Sequence, residues 1–170
     1  MKCRIAVFTP CAKRLAAGLL LASTFALGEP IEWTNTVGGA WSLAVNWSGG
    51  IVPDAADAAV LFGPAVTAPA TVTLDGPRTV GDITFNSANA YTLAGSPLSL
   101  NKSSGTSVLQ VNQGSHTIAS DMNPTSTVLS VVTDPGASLT LAGALGGTSA
   151  SRLEKTGTGA LALSGYSSLF

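Results

Sequence analysis

The sequence predicts an all-β chain wound as a right-handed parallel β-helix. Short runs alternate apolar with small polar residues, turn residues break the runs at intervals, and apolar positions recur at roughly one coil's spacing. The runs include Val72-Thr73-Leu74, Ile83-Thr84-Phe85, Tyr91-Thr92-Leu93, Leu98-Ser99-Leu100, His116-Thr117-Ile118, Leu139-Thr140-Leu141 and Leu161-Ala162-Leu163. Period-two alternation in Thr- and Val-rich segments reads as strand with one face buried. Between the runs stand Asp75-Gly76-Pro77, Gly95-Ser96-Pro97, Asn123-Pro124 and Asp134-Pro135-Gly136, where Gly supplies positive φ and Pro fixes φ. Leu98, Ile118, Leu139 and Leu161 recur at 20, 21 and 22 residues, and Ile83, Val108, Val128 and Leu153 at 25, 20 and 25. Two interleaved series of that length suggest coils with two or three short strands each. An antiparallel β-sandwich is the alternative, although it would give a weaker coil period.

Composition agrees. Of 170 residues 45% are hydrophobic and only 10% are charged, against roughly 25% charged in average soluble domains. The surface must therefore be covered by Ser, Thr, Asn and Gly. In stacked coils the outer residues of each L-x-L triplet point inward, and the middle Thr or Ser meets solvent without needing a charge.

The first 28 residues read as a secretory signal peptide. Lys2, Arg4, Lys13 and Arg14 make a basic start, Leu15 to Leu27 an uncharged Leu/Ala-rich stretch, and Ala26-Leu27-Gly28 a small-residue cleavage site. Cleavage there leaves four basic against nine acidic residues, a net charge of −5. That sign argues against a nucleic-acid partner, which requires a basic stripe. Cys3 and Cys11 leave with the leader, so the exported part has no thiol nucleophile or Cys ligand. No later run approaches the roughly 20 apolar residues of a membrane-spanning helix. The expected location is secreted or cell-surface.

Residues 29–70 form an atypical N-terminal cap. All three tryptophans, Trp33, Trp41 and Trp47, fall here with Gly38-Gly39, Gly49-Gly50 and Pro53. A first coil would expose its apolar end, and terminal solenoid units are atypical for that reason. Residues 71–170 supply the coils.

The stretch Leu153-Glu154-Lys155-Thr156-Gly157-Thr158-Gly159-Ala160-Leu161-Ala162-Leu163-Ser164-Gly165 resembles the L-x-K-x-G-x-G-x-L-x-L-x-G signature of autotransporter-associated β-strand repeats. Upstream, Trp41, Asn46-Trp47, Gly50, Pro53, Asp57, Phe62 and Val80-Gly81-Asp82-Ile83-Thr84-Phe85 are similar to the region that often precedes such repeats. The resemblance covers roughly Trp33 to Gly165, and the repeat signature occurs once, over 153–165. It implies a bacterial secreted or surface-displayed passenger, in which an outer-membrane barrel can follow the repeats. The chain stops at Phe170 without barrel-like sequence, so a truncated reading frame is expected, with an uncapped C-terminal end through which the chain self-associates.

Candidate sites divide by chemistry. Asp54 and Asp57 are the closest acidic pair, and a glycosidase needs two carboxyl groups, one with a raised pKa. The same two could join carbonyls around Ca²⁺, but no calcium-binding loop pattern accompanies them, and turn or capping roles are the plainer reading. A polysaccharide lyase would need a cation from Arg78, Lys102, Arg152 or Lys155. His116 is the sole histidine and cannot make a zinc site alone. Its neighbour Ser115 points to the opposite face of a strand, so the two cannot act together. Trp33, Trp41 and Trp47 could stack on sugars, although cap packing is the plainer role. No catalytic residue, metal ligand or cofactor is assigned. The expected function is a non-enzymatic structural and interaction protein with an adhesion role. Its expected partners are extracellular polysaccharide or a neighbouring cell-surface protein. The alternatives are a carbohydrate-binding module using the three tryptophans and a β-helical polysaccharide lyase or hydrolase.

Overall fold

Alternating apolar residues become strands here because each strand can lay one face on the coil interior and pair its backbone with the coils on either side. The computed structural model describes residues 28–147 and 152–166. The predicted leader up to residue 27 and the last four residues lie outside that range.

An incomplete opening rung holds β1 (Ile31–Glu32) and β2 (Gly39–Ala40), followed by two 3-10 turns at Ala44–Asn46 and Ser48–Gly50. The first full coil is β3 (Ala59–Phe62), β4 (Ala70–Leu74) and β5 (Arg78–Val80). The second is β6 (Asp82–Asn86), β7 (Tyr91–Gly95) and β8 (Leu98–Leu100), and the third β9 (Ser107–Gln113), β10 (Ser115–Ile118) and β11 (Met122–Pro124). The fourth holds β12 (Val128–Thr133), β13 (Ser138–Leu141) and a bridge from Leu145 to Met122. A last rung adds β14 (Arg152–Thr156) and β15 (Ala160–Leu163).

Successive strands visit three sheets in turn, ordered β1-β3-β6-β9-β12-β14, β2-β4-β7-β10-β13-β15 and β5-β8-β11. Every pairing between these strands is parallel. The molecule is a right-handed parallel β-helix of about four turns, and the antiparallel sandwich is ruled out.

The interior is a set of vertical ladders. In the first sheet Val60, Ile83, Leu109 and Val131 align, and beside them run Phe62, Phe85, Val111 and Thr133. In the second sheet Val72, Leu93, Ile118, Leu141 and Leu163 align. All but Leu163 in these ladders are buried.

Two expectations about register need correction. Leu98 belongs to the third sheet, above Arg78 and below Met122, whereas Ile118 stacks on Leu93 in the second. Only Leu139 and Leu161 of that series are true partners. In the other series Ile83 meets Leu109 rather than Val108, because Val108 takes an outward position of β9, whose buried residues are Ser107, Leu109 and Val111. Val128 pairs with Arg152, and Leu153 with Leu129. The first full coil also begins at Ala59, inside the segment read as the cap.

Candidate functional site

The three tryptophans converge from separate stretches of the opening rung. Trp33 follows β1, Trp41 follows β2, and Trp47 sits between the two 3-10 turns. All three are buried, at 0%, 0% and 2% exposure. Trp47 packs edge-on against Trp33 at 5.0 Å and against Trp41 at 4.7 Å, and Phe62 lies beneath all three. The Trp41 indole N–H donates to the Pro53 carbonyl at 2.9 Å, and that of Trp47 to the Trp41 carbonyl at 2.7 Å. An antiparallel bridge between Trp33 and Trp47 brings the chain back across β1. The Asn46 side chain ties the same return to the Ala40 carbonyl and to Asn35. The rings therefore present no open face on which a sugar could stack; they fill the end of the coil interior.

The acidic residues are fasteners. Asp54 accepts from the Thr79 backbone N–H and from Arg78, so it joins the opening rung to the first coil. Asp82 accepts from the Val108 N–H and from Lys102, and Asp121 from the Ala144 N–H, each one coil onward. Asp75 reaches back to the backbone and hydroxyl of Ser42 and also holds Arg78.

Asp57 spans further. It occupies the left-handed region at φ 65°, accepts from Ser103 N–H at 3.0 Å, and donates its own N–H to Asn101. Gly81 makes this approach possible, since a Cβ there would stand 2.7 Å from the Asp57 Cα. Asp54 and Asp57 thus serve different partners and do not form a facing pair. Hydrogen bonding from Ser103 holds the Asp57 carboxyl below its ordinary pKa, and bonding from Ser42 does the same for Asp75. A general acid requires the opposite direction.

A groove of about 540 Å³ runs beside Asp57, lined by Gly28, Ala59, Asp82, Lys102 and Ser104. The Lys102 ammonium is paired with Asp82 at 2.7 Å. Arg78 is held by Asp54 and Asp75, Arg152 by Glu154, and Lys155 by the carbonyls of Thr156 and Gly157. No three potential metal-ligating side chains gather among the described residues.

His116 is buried and lies flat against Phe85, which lies flat against Phe62. Its Nε2 contacts the Gln113 carbonyl at 2.8 Å and its Nδ1 accepts the Tyr91 N–H at 3.1 Å. A carbonyl only accepts, so Nε2 carries the proton and the ring is neutral. Burial pushes its pKa below the ordinary value. Ser115 lies on the opposite, exposed face of β10. Tyr91 is likewise interior, donating its phenol to the Gly63 carbonyl, with burial pushing its pKa up to about 12.

What sequence reasoning missed is the regularity of the outer faces. On the second sheet Thr71, Thr92, Thr117, Thr140 and Ala162 stand in one register column. Ser115, Ser138 and Ala160 form a second column beside it. The signal was present as a repeated small-x-Thr-x-Ala pattern at 90–94, 115–119 and 138–142.

Comparison of the chain with profiles of known families, with curated proteins and with solved structures finds no match.

Proposed function

We propose that this chain is a non-enzymatic, exported interaction protein, a rigid β-helical rod that is secreted or displayed at the cell surface and adheres through its outer faces. The observation that carries this reading is the division of labour between the carboxylates and the outward side chains. Asp54, Asp82 and Asp121 are engaged in tying one coil to the next, while the outward positions of the second sheet are uncharged and small. A charge-assisted bond to a backbone N–H is among the stronger polar contacts. Its repetition along the axis favours stiffness, which suits presentation of a surface. The leader-like first 28 residues support export, and the likeness of 153–165 to autotransporter-associated repeats supports a bacterial passenger.

Expression of the full chain in a bacterium with an outer membrane tests the proposal. The expected product lies outside the cytoplasm, begins at Glu29 by mass spectrometry, and increases adherence of the expressing cells to each other or to polysaccharide-coated surfaces. Retention in the cytoplasm with residues 1–28 attached would remove the export reading. Depolymerisation of a polysaccharide by the purified chain would replace the interaction role with an enzymatic one.

A further inference from the structure

We propose that the outward face of the second sheet binds ice. The proposal rests on the interaction-rod reading and assigns that rod a face and a partner.

Thr71, Thr92, Thr117 and Thr140 repeat once per coil in unbroken register, with no shift between β4, β7, β10 and β13. Parallel strands stand about 4.7–4.9 Å apart, so four identical side chains form a rank at that spacing. Thr is β-branched and stiff at χ1, which holds each hydroxyl and methyl in a repeated orientation. The columns on either side are Ser115, Ser138 and Ala160, and Thr73 and Ala94, continued by Ala119 and Ala142. None of these positions carries a charge or a ring. Among the described residues the threonine hydroxyls have no hydrogen-bond partner on the protein, which leaves them available to solvent.

A rank of fixed hydroxyls anchors waters at the coil repeat, close to the repeat of water molecules in the basal plane of hexagonal ice. Methyl groups between them favour a cage-like arrangement of the same waters, since water beside apolar surface loses orientational freedom. Such a layer is ordered before contact, and preorganisation lowers the cost of joining a lattice. A flexible polymer would gain little from strict periodicity. Sugars are served better by aromatic rings and planar amides, yet the three indoles, Phe62, Phe85 and Tyr91 are interior, and the Asn86–Gln113 amide pair lies on the first sheet.

The test is ice growth with the purified full chain. The expected result is suppressed recrystallisation and faceted single crystals, both lost in the double variant Thr117→Tyr/Thr140→Tyr and retained in Thr84→Tyr on the first sheet. Circular dichroism and melting temperature check that each variant folds. If the tyrosine variant does not fold, Thr117→Val/Thr140→Val keeps the shape, removes two hydroxyls, and is expected to weaken the effect. Unaltered ice growth by the folded wild-type chain overturns the proposal. So does ice activity that persists in the folded face variants. Binding of the face only to crystalline polysaccharide, or pairing of two copies through it in sedimentation, also overturns it. Those last two outcomes would leave the interaction-rod reading standing, whereas failure of export would bear on that reading and not on ice growth by the purified chain.

Discussion

The two ends of the described coil stack solve one problem differently. A rung buries its inward side chains only when another rung lies over it. At the opening end that cover is a cluster of three indoles closed by an antiparallel return through Trp47, with Asn46 and the Glu32-to-Ser48 bond locking it down. Below it the interior stays ring-rich through Phe62, Phe85, Tyr91 and His116. At the far end β14 pairs with β12 and β15 with β13. There Leu153 and Leu161 are only partly buried, Leu163 is 45% exposed, and Lys155 occupies the register position of inward Val131. An inward-placed charge is a known way of discouraging edge pairing. Stability should therefore grade along the axis, high under the indoles and low at β15.

Truncating the cap should break the contrast most strongly. Trp41→Ala removes a fully buried indole and is expected to cost about 3–5 kcal/mol, read as a drop in the urea midpoint. Asp82→Ala cuts the bond to Val108 and the pairing with Lys102, and should cost about 2 kcal/mol, partly masked at high salt. His116 sharpens the comparison through pH. Its folded pKa lies below the unfolded value of about 6.5 because burial disfavours the charge. The unfolded chain thus protonates first, and stability is complete above about pH 6.5 and lost as pH falls through the folded value. His116→Phe should flatten that dependence in a urea-midpoint series from neutral to mildly acidic pH, at a cost of about 1–2 kcal/mol for the orphaned Tyr91 N–H. The smallest effect belongs to the far end: Leu163→Ser should change stability by under about 0.5 kcal/mol. A loss there as large as at Trp41 would abolish the gradient.

Strand identity and inward direction were legible because period two is a local property. The triplets Leu98-Ser99-Leu100 and Leu139-Thr140-Leu141 both bury their outer leucines. Their sheet membership was not legible, since the two triplets are chemically alike and only the intervening turns decide the side. The slip from Val108 to Leu109 has a similar cause: the two neighbours are both apolar, and only the pairing with β6 decides which of them faces inward. Tryptophan spacing pointed to an end unit, but not to its antiparallel return. The carboxylate ties were hidden because their partners are backbone groups, which carry no sequence signature. The threonine column was written in plain view, yet it becomes a face only once the coil length is known.

The direction of the aspartate ties has an evolutionary corollary. In Asp54, Asp82 and Asp121 alike the acceptor sits in the earlier coil and the donor is a main-chain amide of the later one. A duplicated segment would bring its own latch and would find a suitable amide in whatever followed it. Lineages carrying this architecture could lengthen or shorten by whole windings without matched changes elsewhere.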